Sequence, residues 1–224
     1  IGLSPGGEVF DVLYALENDG MIPDASYTGL VLGSDKHHHG ELHNTISEYA
    51  KVVTKKSNGE ITSVWPKLVQ SILDTYLGEV PAKFNYEGAE YTPKTFAKKY
   101  VLNIDDYVQI ASFTHRDLYK PFNMEIPDNW TNTLSYNMTL DELMGELDNA
   151  LENGYTVGWA QDVSDKLFSR ETGLGTTEEK EITDEMHQKA YDTWQTTDDH
   201  SMLIVGIAYD QNGEKYYKEK NSWG

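Results

Sequence analysis

The sequence predicts an α+β fold, a helical part followed by an antiparallel β-sheet or barrel part. Three observations carry this. Apolar residues recur at helical spacing through the first hundred positions, extended runs gather in the second half, and the chain closes on a hairpin pattern. Helices first and strands later is the order of an α+β protein, not of an alternating α/β one. The change of character falls near position 103, giving a mainly helical part, 1–103, and a β-rich part, 104–224.

In order along the chain, Ser4-Pro5-Gly6-Gly7 is a turn, and Val9, Val12, Leu13 and Leu16 follow at helical spacing. Gly20 stops that helix and Pro23 prevents its resumption. A second helix is predicted from Glu41 to Lys56, with Leu42, Ile46, Tyr49 and Val53 on one face and Asn58-Gly59 ending it. A third spans Ser63–Leu77, with Pro66 in its first turn and Gly78 beyond its last. Asn85-Tyr86-Glu87-Gly88 reads as a hairpin turn, and Thr92-Pro93 opens a short helix through Tyr100.

Tyr107–Phe113 is predicted as a strand, and the Pro- and Asn-rich residues 114–138 as a long ordered connection. Thr139-x-x-Glu142 is a capping box ahead of a helix over Leu140–Leu151. Tyr155–Val163 is a strand, 169–182 an exposed stretch, and Thr183–Trp194 a helix. The continuous apolar run Met202–Ala208 predicts a strand buried on both faces. Asp210-Gln211-Asn212-Gly213 turns the chain, and Tyr216–Lys220 returns antiparallel.

Composition narrows the function. Lys plus Arg total 18 and Asp plus Glu 37, a formal charge of −19. Phosphate binding needs clustered cations, so nucleic acid is excluded as a partner, and anionic membrane surfaces are disfavoured on the same ground. No apolar run approaches the ~20 residues that span a bilayer, so membrane insertion is not expected. The absence of cysteine excludes disulfides, thiolate zinc sites, iron–sulfur clusters and a thiol nucleophile within these residues.

Several features have bland readings. His37-His38-His39 with His43, near Asp35 and Glu41, could ligate a metal, but solvated imidazoles on a loop explain them more simply, and no metal site is assigned. Asp162 ends a strand and borders either a specificity pocket or solvent. His115 and His187 read as surface residues, Glu178–Glu181 as a solvated face, and the 15 Tyr and 5 Trp as core aromatics rather than a glycan surface.

The chemistry gathers on the final hairpin. His200 stands at the mouth of the apolar strand and Asn221 at the end of the returning one. A carboxamide oxygen that accepts from one ring N–H fixes an imidazole and aims its other nitrogen at a reacting group. On spacing alone, a structural histidine and a turn asparagine account for the pair better.

The surrounding residues carry a resemblance. Asp199-His200-Ser201-Met202 with Val205-Gly206, then Lys220-Asn221-Ser222-Trp223-Gly224, is similar to the histidine and asparagine motifs of papain-like cysteine peptidases. Ser4-Pro5-Gly6-Gly7, the helix containing Ala15, Gly20-Met21-Ile22-Pro23 and Tyr27 resemble the segment that follows that family's catalytic cysteine helix. The helical stretch 40–100 and the wording around His200 look most like the bleomycin hydrolase, or aminopeptidase C, branch. The resemblance implies a papain-like fold and a cysteine-type peptidase, an aminopeptidase acting on peptide substrates without a cofactor. His200 would be the acid and base, Asn221 would hold its ring, and Trp223 would shield their hydrogen bond. Gly6, Gly7 and Asp199 would contact the substrate backbone. It also implies a homo-oligomer, a hexamer in that branch, and a cytoplasmic protein, with a periplasmic or secreted one left open.

The sequence departs from the family pattern at both ends. The family's nucleophilic cysteine and oxyanion-hole glutamine lie upstream of the Gly-Gly segment, and its chain continues past the Asn-Ser-Trp-Gly motif. These 224 residues alone are therefore expected to be an inactive part of a larger enzyme. Glu219 stands where the family often carries an apolar residue. The alternatives are a papain-like binding or scaffold module without catalysis, and an exported protein binding metal or glycan.

Overall fold

The computed structural model describes residues 6–55, 60–100, 103–179 and 181–222. The chain divides into two compact units. One comprises Ala15–Asn103 together with Gly6; the other joins Gly7–Tyr14 to Ile104–Gly224.

Helix α1 (Val9–Asn18) begins in the second unit and ends in the first, where Gly20 closes it. Gly20 has φ +92°, and a Cβ there would lie 2.3 Å from the Pro93 carbonyl carbon, so both conformation and close packing require glycine. Within this unit α2 (Gly40–Lys55) packs beside α3 (Trp65–Leu77), and the Tyr76 hydroxyl donates to Glu41 Oε1 at 2.6 Å. The expected stop of α2 at Asn58-Gly59 lies outside the described residues. The α3 helix starts two residues later than Ser63, since its N-cap Val64 has no side chain to accept an N–H.

The hairpin of β1 (Phe84–Tyr86) and β2 (Ala89–Tyr91) turns at Glu87-Gly88, where φ is 48° and 79°. Two positive φ values in a two-residue turn match the strand twist. Helix α4 (Pro93–Tyr100) lays Phe96 against Phe84, Tyr86 and Tyr91 at centroid separations of 5.1–5.4 Å, which makes this aromatic cluster the core of the hairpin.

In the second unit the strand expected over Tyr107–Phe113 shrinks to β3 (Ile110–Ala111), parallel to β5 (Leu134–Asn137). The residues beyond β3 leave the ladder because Asn137 captures them. Its Oδ1 accepts from Phe113 N at 2.9 Å, and its Nδ2 donates to the carbonyls of Phe113, Arg116 and Asp117. The supposed connection 114–138 contains two strands, β4 (Pro121–Asn123) and β5, in a sheet ordered β3-β5-β4. Its asparagines supply the missing backbone partners: Asn129 Nδ2 donates to the carbonyls of Met124 and Thr133.

Helix α5 (Leu140–Glu152) starts with the complete capping box of Thr139 and Glu142. It buries Leu143 and Leu147 and packs on the second sheet, ordered β10-β9-β6. These strands are β6 (Val157–Gln161), β9 (His200–Tyr209) and β10 (Lys215–Lys220), all antiparallel. Strand β9 is not buried on both faces as the apolar run predicted. Met202 and Ile204 are buried, but Leu203 is 37% exposed, because α5 covers one face and much of the other stays open. The exposed stretch 169–182 carries the small hairpin of β7 (Phe168–Ser169) and β8 (Leu174–Gly175). Helix α6 (Asp184–Asp192), capped by Thr183, holds His187 half-buried against Phe113, not on the surface, and burial lowers its basicity.

Candidate active site

The site is built where β9 begins and β10 ends. His200 opens β9, opposite Gln161 of β6. Strand β10 pairs with β9 from Lys215↔Tyr209 to Lys220↔Leu203, with a bulge at the step from Lys218↔Gly206 to Glu219↔Ile204. Continuing that register sets Asn221 level with Met202, on the face that also carries His200. The side chains meet: His200 Nε2 lies 3.1 Å from Asn221 Oδ1. A carboxamide oxygen can only accept, so this contact places a proton on Nε2 and the basic lone pair on Nδ1. Asn221 Oδ1 also accepts from Ser222 N at 2.7 Å, which fixes the carboxamide.

Neighbouring carboxylates set the strand end. Burial works against the Asp162 charge. Hydrogen bonds from the Ser164 hydroxyl and from the backbone N–H groups of Thr197, Ser164 and Asp165 outweigh it and hold this carboxyl below the usual range. Asp162 thus ties the end of β6 to the segment that leads into His200. Asp199, exposed, accepts from Val163 N at 2.8 Å and so braces the same loop. Glu219 sits on the face shared by Asn221. It is half-buried, accepts from Gln161 Nε2 at 3.1 Å, and has its pKa raised chiefly by burial.

Of the other predicted site residues, Gly6 is exposed and Gly7 half-buried, while Trp223 lies outside the described residues. A Cβ on Gly7 would press against Asp11 Oδ2 at 3.0 Å and Trp130 Nε1 at 3.4 Å, so a larger residue there would crowd the helix start. His37, His38 and His39 are exposed, with the rings of His37 and His39 leaning together at 5.2 Å, while His43 is half-buried with its Nε2 3.4 Å from the Ser47 hydroxyl; no metal-holding group of three occurs among the described residues. Sequence reasoning missed Glu8, a buried acid just after Gly7, and Gln161, which reaches Glu219. Neither lies in a pattern that marks it, because both are brought in by tertiary packing.

No curated protein matches the chain. Among solved structures it is similar to PepW from Lactobacillus rhamnosis HN001, at TM-score 0.69 and 21% identity. The match covers 99% of this chain and 57% of PepW, so the chain spans little more than half that protein's length, and the likeness is one of fold. The Peptidase C1-like family matches residues 6–224, and with its α+β architecture and papain-like histidine and asparagine motifs the chain belongs to that family.

Proposed function

We propose that the whole protein is a cysteine-type aminopeptidase of the bleomycin hydrolase kind. The observation that supports this best is the hydrogen bond from His200 Nε2 to Asn221 Oδ1 on one face of a terminal hairpin. In this reading Nδ1 of His200 takes the proton of a thiol, and the resulting imidazolium stabilises the thiolate. The thiolate attacks the scissile carbonyl. His200 then protonates the leaving amine and later removes a proton from the water that releases the acyl group. Asn221 holds the ring in the required orientation through both steps, with Trp223 shielding their bond. Gly6 and Gly7 offer main-chain groups to an extended peptide, and the backbone at Asp199 contacts it near the leaving group. The 224 residues contain no cysteine, so this reading requires a thiol carried elsewhere in the whole protein.

The experiment is hydrolysis of an aminoacyl-amide reporter by the full-length protein, before and after thiol alkylation. Activity abolished by alkylation is expected. Activity that survives alkylation, or a full-length protein without cysteine, would overturn the reading and leave a scaffold that has kept the fold.

A further inference from the structure

A second hydrogen bond lies next to the His200–Asn221 pair and has no part in the chemistry above. Gln161 Nε2 donates to Glu219 Oε2 at 3.1 Å. These residues stand on the outer strands of the sheet ordered β10-β9-β6, so their bond passes over β9. The register fixes its place. Gln161 pairs directly with His200, and Glu219 with Ile204, so all four side chains share one face. Met202, midway between His200 and Ile204 on that face, is 7% exposed. Each end of the bond therefore adjoins the site: Gln161 lies beside His200, and Glu219 is two residues before Asn221 on the same side of β10.

The ladder around the bulge gives this bond a task. Only two pairs, Glu219↔Ile204 and Lys220↔Leu203, follow the bulge before Asn221, and a strand end held by so few pairs opens easily. Yet Asn221 Oδ1 must stay within hydrogen-bonding range of His200 Nε2, and an outward movement of about 1 Å would break that contact. Packing alone would be served by an apolar side chain at position 219. Instead the position keeps a half-buried carboxyl: burial, the larger influence, pushes its pKa up, and the hydrogen bond from Gln161 opposes this. Lys218 and Lys220, on either side of it, are exposed.

Resting on the peptidase reading, we propose that Glu219 and Gln161 are positioning residues for the histidine–asparagine pair: their bond across β9 holds the end of β10 where Asn221 reaches His200. The bond ties the neighbour of one partner to the neighbour of the other, so it limits the outward movement of β10 that would separate the two. Glu219 acts through Asn221 and touches neither substrate nor the reacting atoms.

The test is steady-state hydrolysis of a leucine amide reporter by the full-length enzyme and its E219L, E219Q, N221A and E219L/N221A variants, with thermal melting of each followed by circular dichroism. Leucine fills the half-buried position with no charge to desolvate, so E219L should melt no lower than wild type. It should nevertheless lose ~5- to 20-fold in kcat, with KM changed less than about twofold. E219Q keeps an oxygen that accepts from Gln161 Nε2 and should bring kcat back to within about threefold of wild type. Added to N221A, E219L should cost less than about twofold more, because the pair it positions is already broken. Q161L breaks the same bond from its other end and carries the same expectation should E219L fold poorly. Wild-type kcat in E219L and Q161L, a loss in E219Q as large as in E219L, or the full additional loss in the double variant overturns the positioning role and leaves the peptidase reading standing. A wild type that does not hydrolyse the reporter overturns both.

Discussion

The Asn221→Ala substitution is the sharpest test of the hairpin as a catalytic device. The bond it removes is 3.1 Å long, well inside hydrogen-bonding range, and both residues are half-buried. When His200 is protonated the bond is charge-assisted, a class worth ~1.5–3 kcal/mol. Partial exposure lets water replace some of that, so the lower part of the range, ~1.5–2 kcal/mol, applies. At about 1.4 kcal/mol per tenfold, the expected loss in kcat/KM is ~10- to 30-fold. Ser222 N loses its acceptor too, but it is exposed, and water satisfies it at little cost. The assay is steady-state hydrolysis of an aminoacyl-amide reporter by the full-length protein, with Asn221→Asp as the companion. A carboxylate can accept from both Nε2–H and Ser222 N, so the aspartate variant should retain more activity than the alanine one. If N221A keeps activity within about twofold of wild type, the hydrogen bond is a packing feature and the mechanism built on it is wrong.

Three further outcomes follow from the packing. Asn137→Ala would strip partners from the buried backbone of Phe113 and from the Arg116 and Asp117 carbonyls, costing ~2–4 kcal/mol. At roughly 2–4 °C per kcal/mol, thermal unfolding by circular dichroism should show Tm falling by about 5–15 °C. Gly20→Ala meets both φ +92° and the Pro93 backbone, so urea titration should show a loss above ~2 kcal/mol; a midpoint equal to wild type contradicts the described α1–α4 junction. Glu8, ordinarily near 4.5 and raised to about 8, binds more protons folded than unfolded between those values, so stability falls as pH rises through that window. Glu8→Gln should flatten that slope and stabilise the protein at about pH 8 by ~1–3 kcal/mol, read from urea midpoints at about pH 5 and about pH 8; parallel slopes for both proteins would refute it.

Local signals made much of this legible from residues alone. The Thr139–Glu142 capping box, Gly20 and Gly78 at helix ends, and the Glu87-Gly88 turn each act within a few residues, so their physics is in the sequence. The elements read wrongly are those decided by distant partners. Asn137 reaches 24 residues back to Phe113 and cuts a strand short, while the β4–β5 pairing hides in a stretch whose prolines and asparagines look like loop. The apolar run after His200 says strand but not which face is covered, since that depends on where α5 lands. The Asp11–Thr131 hydrogen bond joins positions more than half the chain apart, and nothing at either position announces it.

The histidine–asparagine pair shows most clearly how a backbone irregularity completes a motif. Counting back from the turn with the regular register of Lys215↔Tyr209 and Lys218↔Gly206 would set Asn221 opposite Leu203. Leu203 points to the face away from Met202 and His200, because neighbouring strand residues alternate. A regular hairpin would therefore hold the two functional side chains on opposite sides of the sheet. One unpaired residue, Val205, shifts the pairing to Glu219↔Ile204 and brings Asn221 round to the histidine's face. The same shift turns Glu219 to the face of Gln161, whose Nε2 donates to it at 3.1 Å. The bulge, flanked by Gly206, is thus the structural element on which the proposed chemistry depends.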